Sequence, residues 1–273
     1  MFHHVARARP GCVLFDDAVE ARALWVRITA RTAGLTALCL MPNHVHLLHR
    51  RDVKIELGRA LSAFVRWRNA RRGERGSLVE PSPDSEPIEG RTKIRRQVRY
   101  IHLNPSRARL VRDPLAWPFS THLDAVGLAL TPVRAAEPDR HGFHRYVSAD
   151  PTVHVRGTDL PCPPAGLCEL DDVIDAVTAA ARRPLFELVG SRGSERTRLI
   201  ACARGLTAAS PEEIAARLGV GRSTVYRTRP MADARVAALA ADGRIRCWEG
   251  AVGGAAAGSR RWRSGPEWDS RSA

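Results

Sequence analysis

Apolar residues at Val19, Ala23, Leu24, Val26 and Ile28 recur at helical spacing and predict an amphipathic helix over 16–32. Asp16 and Asp17 place negative charge at its first turn, where the helix dipole favours it. Before it, 2–8 reads as a short strand. Beyond it, 35–41 is continuously apolar, Pro42-Asn43 is a turn signal, and His44-Val-His-Leu-Leu-His-Arg50 follows. The stretch 35–50 therefore predicts a β-hairpin. Helical periodicity returns over 55–72, carried by Leu57, Leu61, Phe64, Val65 and Trp67. Residues 73–91 break the pattern with Gly, Pro, Ser and acid, and only 77–80 has strand character. A helix resumes at Lys93 and is expected to end near Leu103, because the residue before Pro105 avoids the helical region. A short helix over 106–111 is expected next.

The second half reads differently. Residues 126–168 are rich in Pro, Asp, Gly and His and are expected to form a linker. Helices are predicted over 170–181 and 194–204. Ser210 is a good N-cap, with Pro211 at the first helical position and Glu213 completing a capping box. Gly219-Val-Gly221 supplies a turn, and 222–229 is a further helix exposing Ser223, Thr224, Arg227 and Arg229. Ile214, Ala215, Leu218 and Val225 are its expected core. The pattern over 194–230 is similar to a helix-turn-helix, whose last helix reads the major groove; a plain helical bundle is the alternative. The tail, 250–273, is expected to be disordered. The domains expected are thus 1–125, a linker over 126–168, a helical domain over 169–249, and the tail.

Charge sharpens this picture. The chain has 273 residues and a formal net charge of +14. Residues 1–130 hold 22 basic and 12 acidic side chains, so the excess sits mainly in the first half. Such a balance points to a polyanionic partner, most often nucleic acid. Nearly all of it is Arg, with only Lys54 and Lys93 as lysine; Arg suits bidentate phosphate and guanine contact, and GC-rich coding gives the same bias. No apolar run approaches the roughly 18 residues of a membrane span, and no signal pattern opens the chain, so a cytoplasmic protein with no membrane partner is expected. Cys12, Cys39, Cys162, Cys168, Cys202 and Cys247 form no C-x-x-C pair and are expected to be free thiols.

Two motifs carry chemistry. His44 and His46 alternate in a strand, so both imidazoles share a face and make half of a divalent-metal site. Taken alone, they also fit a pair of surface histidines on an edge strand. Tyr100 and Asn104 lie one helical turn apart, placing a nucleophilic hydroxyl beside an amide oxygen able to reach a metal. Taken alone, Tyr100 also fits a core residue and Asn104 a helix cap. His102 is about 200° round the helix from Tyr100 and is given no catalytic role. Arg66, Arg68, Arg71 and Arg72, with Arg95, Arg96 and Arg99, form two basic clusters suited to DNA backbone or to a solvated helix face.

Met41-Pro-Asn-His-Val-His-Leu-Leu48, followed by Arg99-Tyr-Ile-His-Leu-Asn-Pro-Ser-Arg-Ala-Arg-Leu-Val111, closely resembles the REP-associated tyrosine transposases of the single-tyrosine HUH superfamily. The resemblance covers about 1–125, and Trp117-Pro-Phe-Ser-Thr-His122 looks like the family's closing segment. It implies an α+β fold, a ferredoxin-like α/β sandwich of the HUH nuclease type, here followed by the small all-α helix-turn-helix domain. It implies that His44 and His46 bind Mg2+ or Mn2+, with Asn104 as a third ligand. It implies that Tyr100 attacks single-stranded DNA beside a hairpin repeat, forming a 5′-phosphotyrosine link and leaving a 3′-OH. DNA contacts are expected from the two arginine clusters and from Arg222, Ser223, Thr224, Arg227 and Arg229, the latter on duplex. The family's aromatic, basic strand is replaced here by the acidic, Pro-rich stretch from Ser77. The alternative function is a catalytically idle DNA-binding regulator; a nucleoid or RNA-binding protein is a third, resting on charge alone.

Overall fold

The structure is a computed structural model, and it describes residues 1–245. β1 (Phe2–Arg7), α1 (Ala18–Thr29), β2 (Ala37–Leu40), β3 (His44–His49), α2 (Lys54–Arg72) and β4 (Asp84–Pro87) follow one another in the chain. The sheet order is β2-β3-β1-β4, and every neighbouring pair is antiparallel. This is the β-α-β-β-α-β arrangement of a ferredoxin-like sandwich.

The hairpin forms as its sequence predicts, with Leu40 opposite Val45 and Met41 N–H donating to the His44 carbonyl at 2.8 Å. Asp17 caps α1 by accepting from Glu20 N–H at 2.7 Å. The strand expected at 77–80 shrinks to one bridge, Val79 to Ala8, and the strand proper is the acidic Asp-Ser-Glu-Pro of β4. β4 is an edge strand, where charge and proline are tolerated because one side needs no partner. The free edge of β2 is covered by 117–121: Leu40 N–H donates to Phe119, Thr121 N–H to Leu38, and the Trp117 indole to Leu40.

Register sorts the side chains. His3, Val5 and Arg7 share a face with Leu48, His46 and His44, while His4, Ala6, Val45, Leu47 and His49 share the other. The second face carries α1 and α2, as His49 reaches the Ala33 carbonyl after α1 and His4 accepts from Val53 N–H at the start of α2. The first face carries α3 (Arg91–Arg107).

α3 corrects the sequence reading, because it runs through Pro105 instead of ending near Leu103. Proline there costs one hydrogen bond in the last turn, and the burial of Ile101, His102, Leu103 and Pro105 holds the helix together. The helix expected at 106–111 is only the end of α3 and a turn, with Arg109 in the left-handed region at φ 57°.

After a 3₁₀ turn at Pro114–Ala116 come α4 (His122–Ala125), α5 (Arg140–Ser148), α6 (Leu170–Ala181) and α7 (Leu185–Gly190), then α8 (Ser194–Leu206), α9 (Pro211–Leu218), α10 (Arg222–Arg227) and α11 (Ala234–Ala241). The expected linker therefore contains a helix. α5 is capped by Asp139 and buries His144 and Val147, with Val147 packed near Leu103 and Val155. Its nine residues, five of them Arg, His or Gly, are too few to show periodicity. Nor are the C-terminal helices a separate unit, since one apolar core runs from Trp25 and Phe119 to Val173, Val177 and Leu239. Arg182, fully buried after α6, donates to the carbonyls of Pro118 (2.7 Å) and Ser120 (3.2 Å), pairs with Asp124 and lies 4.5 Å from the Trp25 ring centroid. Cys247 and the tail lie outside the described residues.

Candidate active site

The stripe Lys93, Gln97, Tyr100, Asn104 and Arg107 recurs at spacings that keep one face of α3. Its middle part meets the histidine face of the sheet. The His46 ring lies edge-on to Tyr100 with centroids 5.4 Å apart, and His44 edge-on to His46 at 4.7 Å. Asn104 is buried; its amide N–H donates to the Tyr100 carbonyl at 3.0 Å, which leaves the amide oxygen to meet His44. The Arg107 guanidinium lies 5.1 Å from the Tyr100 ring centroid. Arg7, opposite His44 on β1, pairs with Asp84 of β4.

The electrostatics favour neutral imidazoles. Burial, Arg7 and His3 push His44 down to about 4, against a hydrogen bond with Asn104 that favours the charged form. Burial, then His44, His3 and Arg7, hold His46 well below the ordinary range. Neutral imidazole is the metal-binding form. Two imidazoles and an amide oxygen fit a divalent cation that keeps water or phosphate in its remaining positions. Among the described residues, the one trio of His, Cys, Asp or Glu side chains close enough to share an ion lies elsewhere, at Asp16, Asp17 and Glu20. Arginines already neutralise that trio.

Those arginines belong to the first expected DNA-binding cluster. Arg68 is buried, 3.3 Å from Glu20 and 2.9 Å from Glu74; Arg71 meets Asp17 at 2.9 Å and Glu20 at 3.0 Å; Arg72 meets Glu20 at 2.5 Å and also Asp16. They join α2 to α1 around a buried carboxylate. Arg66 is exposed and lines a groove of about 570 Å³ with Arg31 and Arg59, on the face away from Tyr100. In the second cluster Arg95 and Arg96 are exposed; Arg95 lies over the Tyr146 ring at 4.3 Å, and Arg99 is held by Tyr146 and by Asp150 at 3.4 Å.

The helical part presents α10 outward. The capping box at Ser210 and Glu213 is formed, Gly219 takes φ 62° at the end of α9, and Val225 is buried. Ile214, Ala215 and Leu218 are buried with it. Arg222, Ser223, Arg227 and Arg229 are exposed, and Thr224 is half-buried. Arg204 of α8 donates to the Val225 and Tyr226 carbonyls at 3.2 and 3.1 Å, and the exposed Tyr226 hydroxyl donates to Glu212 at 2.7 Å.

Sequence reasoning missed His3, Gln97, Arg7 and Arg107 at the site. The i+3/i+4 stripe on α3 was the available signal for Gln97 and Arg107. His3 and Arg7 needed the β1–β3 register.

No family model matches the chain, and no curated protein matches it. Among solved structures, it is similar to a REP-associated tyrosine transposase bound to a REP hairpin, at 20% identity over 50% of this chain and 84% of that one, with a TM-score of 0.37. No helix among the described residues is long and apolar enough to cross a membrane.

Proposed function

We propose that the chain is a metal-dependent, single-tyrosine DNA nuclease and strand transferase acting on single-stranded DNA beside hairpin-forming repeats. The observation that carries this is the convergence of Tyr100, Asn104, His44 and His46 where α3 crosses the sheet. His44, His46 and Asn104 would hold Mg2+ or Mn2+; when bound, the ion polarises the scissile phosphate and offsets charge on the leaving oxygen. The Tyr100 oxygen attacks phosphorus, the Tyr Oη–P bond forms and the P–O3′ bond breaks. The phenolic proton is lost to solvent and the departing 3′-oxygen takes one up, so the protein ends with a 5′-phosphotyrosine and the DNA with a 3′-OH. Arg107, beside the Tyr100 ring, and Arg7, beside His44, would set positive charge near the negative charge that develops on the phosphate. The ester keeps the energy of the cleaved bond, so a 3′-OH on another strand can reverse the attack. Arg95 and Arg96, exposed on α3, would track the strand toward the site.

The exposed Arg222, Ser223, Arg227 and Arg229 favour a second activity of the same chain, duplex binding through α9 and α10. If Tyr100 were idle, this alone would leave a DNA-binding regulator.

Incubating wild type and Tyr100→Phe with a labelled hairpin repeat from the gene's flanks, with Mn2+ and then EDTA, separates the two. The expected result is a denaturation-resistant protein–DNA band that requires both metal and Tyr100. Tight binding with no adduct from the wild type would leave the regulator.

A further inference from the structure

The first histidine pair is backed by a second layer. The His44 Nδ1 lies 2.7 Å from the Asn43 side-chain oxygen. That oxygen can only accept, so His44 Nδ1 carries the proton. The His46 Nδ1 lies 3.0 Å from Nε2 of His3, whose ring stacks on His46 with centroids 5.2 Å apart and planes 15° apart. Gln97, one turn before Tyr100 on α3, lies against the same ring, its side-chain amide 3.2 Å from Nε2 and 3.3 Å from Nδ1 of His3. His3 is opposite Leu48 in the β1–β3 register, so the sheet fixes its backbone as firmly as that of His46. Among the described residues His3 forms no three-ligand group with His44 and His46. It is placed to orient, and not to ligate.

Resting on the function proposed above, we infer that His3, held by Gln97, is a positioning residue that accepts the Nδ1 proton of His46 and so turns the Nε2 lone pair of His46 toward the metal. Asn43 does the same for His44. Both imidazoles of the pair then present the same nitrogen, and each is fixed by an acceptor from outside the ligand set. A ligating histidine ordinarily has its other ring N–H engaged in this way, and loss of such a partner costs about 10–100-fold in metal affinity. The device also links the metal to the nucleophile: Gln97 and Tyr100 ride on one helix, so a shift of α3 that misplaces Tyr100 also releases His3.

Two readouts on the full chain test this. The first is the tautomer of His46 in metal-free protein, from long-range 1H–15N spectra, its signal identified by its loss in His46→Ala. The second is the Mn2+ dissociation constant, from the EPR signal of free Mn2+. Wild type is expected to show His46 protonated at Nδ1. His3→Phe keeps a stacked ring but no acceptor; it is expected to mix the His46 tautomers and weaken Mn2+ by about 10–100-fold. His3→Gln, which restores an acceptor, is expected to recover most of the affinity. Gln97→Ala is expected to cost roughly 3–10-fold. If His3→Phe keeps the wild-type tautomer and Mn2+ affinity, His3 is only packing and the inference falls. If wild type binds no Mn2+, or His44→Ala changes nothing, the proposed function falls, while the tautomer of His46 in the His3 variants still decides the role of His3.

Discussion

Two groups of three histidines lie on opposite sides of α3. On the sheet side are His3, His44 and His46. On the other, His102 of α3, His122 of α4 and His144 of α5 form a buried chain: His102 Nε2 meets the Thr121 hydroxyl at 3.1 Å, His122 approaches His102 at 3.4 Å, and the other His122 nitrogen meets His144 at 2.9 Å. Burial pushes all six below their ordinary value. Burial and neutral imidazole are therefore no mark of a site. On the sheet side, outer nitrogens are tied back and the rings converge with Tyr100 and the Asn104 amide. On the far side, each ring is used up on the next, Phe143 packs against two of them, and His144 Nε2 ends the chain buried without a hydrogen-bond partner. On the reading proposed above, one group keeps bonding capacity for a metal; the other spends it on joining three helices.

Tyr100→Phe should show the largest effect, with loss of the covalent adduct by on the order of a thousandfold or more and hairpin affinity nearly unchanged, read on denaturing and native gels side by side. Next comes an exchange of one histidine from each group. His44→Ala should weaken Mn2+ binding by about a hundredfold or more and change unfolding free energy by less than about 1 kcal/mol. His122→Ala should do the reverse, costing about 2–4 kcal/mol in denaturant unfolding, because it opens a cavity and strands its neighbours. Equal effects of the two on Mn2+ would erase the distinction.

Acid should strain both groups alike, and His144 reports the far one. His144, pushed down to about 4 first by burial and then by Arg244, stays neutral in the fold while the unfolded chain takes up a proton near 6.5. Its contribution is complete above pH 6.5 and is lost as pH falls toward 4, about 1.4 kcal/mol per pH unit over that window. His144→Phe should flatten the stability profile there, as measured by urea unfolding at a series of pH values. The smallest effect is expected at α10. Arg227→Ala should weaken duplex binding alone and lower the salt slope by about one, leaving hairpin cleavage intact.

Much of this was legible in the chain. The hairpin, the capping box at Ser210 and the shared face of His44 and His46 depend on local spacing, and local spacing is what a sequence displays. The rest depended on partners distant in sequence. Asp84–Pro87 pairs only because β1 offers an edge; by itself it reads as a loop. Arg68, Arg71 and Arg72 look like a surface patch until Glu20, some fifty residues earlier, is seen buried among them. α3 passes Pro105 because tertiary burial outweighs one missing hydrogen bond. His3 carries no motif; only strand register places it against His46.

Arg182 makes the helices after residue 169 an outgrowth of the sheet platform rather than a module on a tether. Its guanidinium gathers the Pro118 and Ser120 carbonyls and the Asp124 carboxylate, so removing it would strand a buried charge at a cost of about 3–5 kcal/mol. With that anchor in place, α10 and Tyr100 stand at a set offset. On the function proposed above, a chain built this way would work as a gauge: the strand reaching Tyr100 would be measured by the protein itself from whatever duplex α10 gripped, and the spacing in the DNA would have to match.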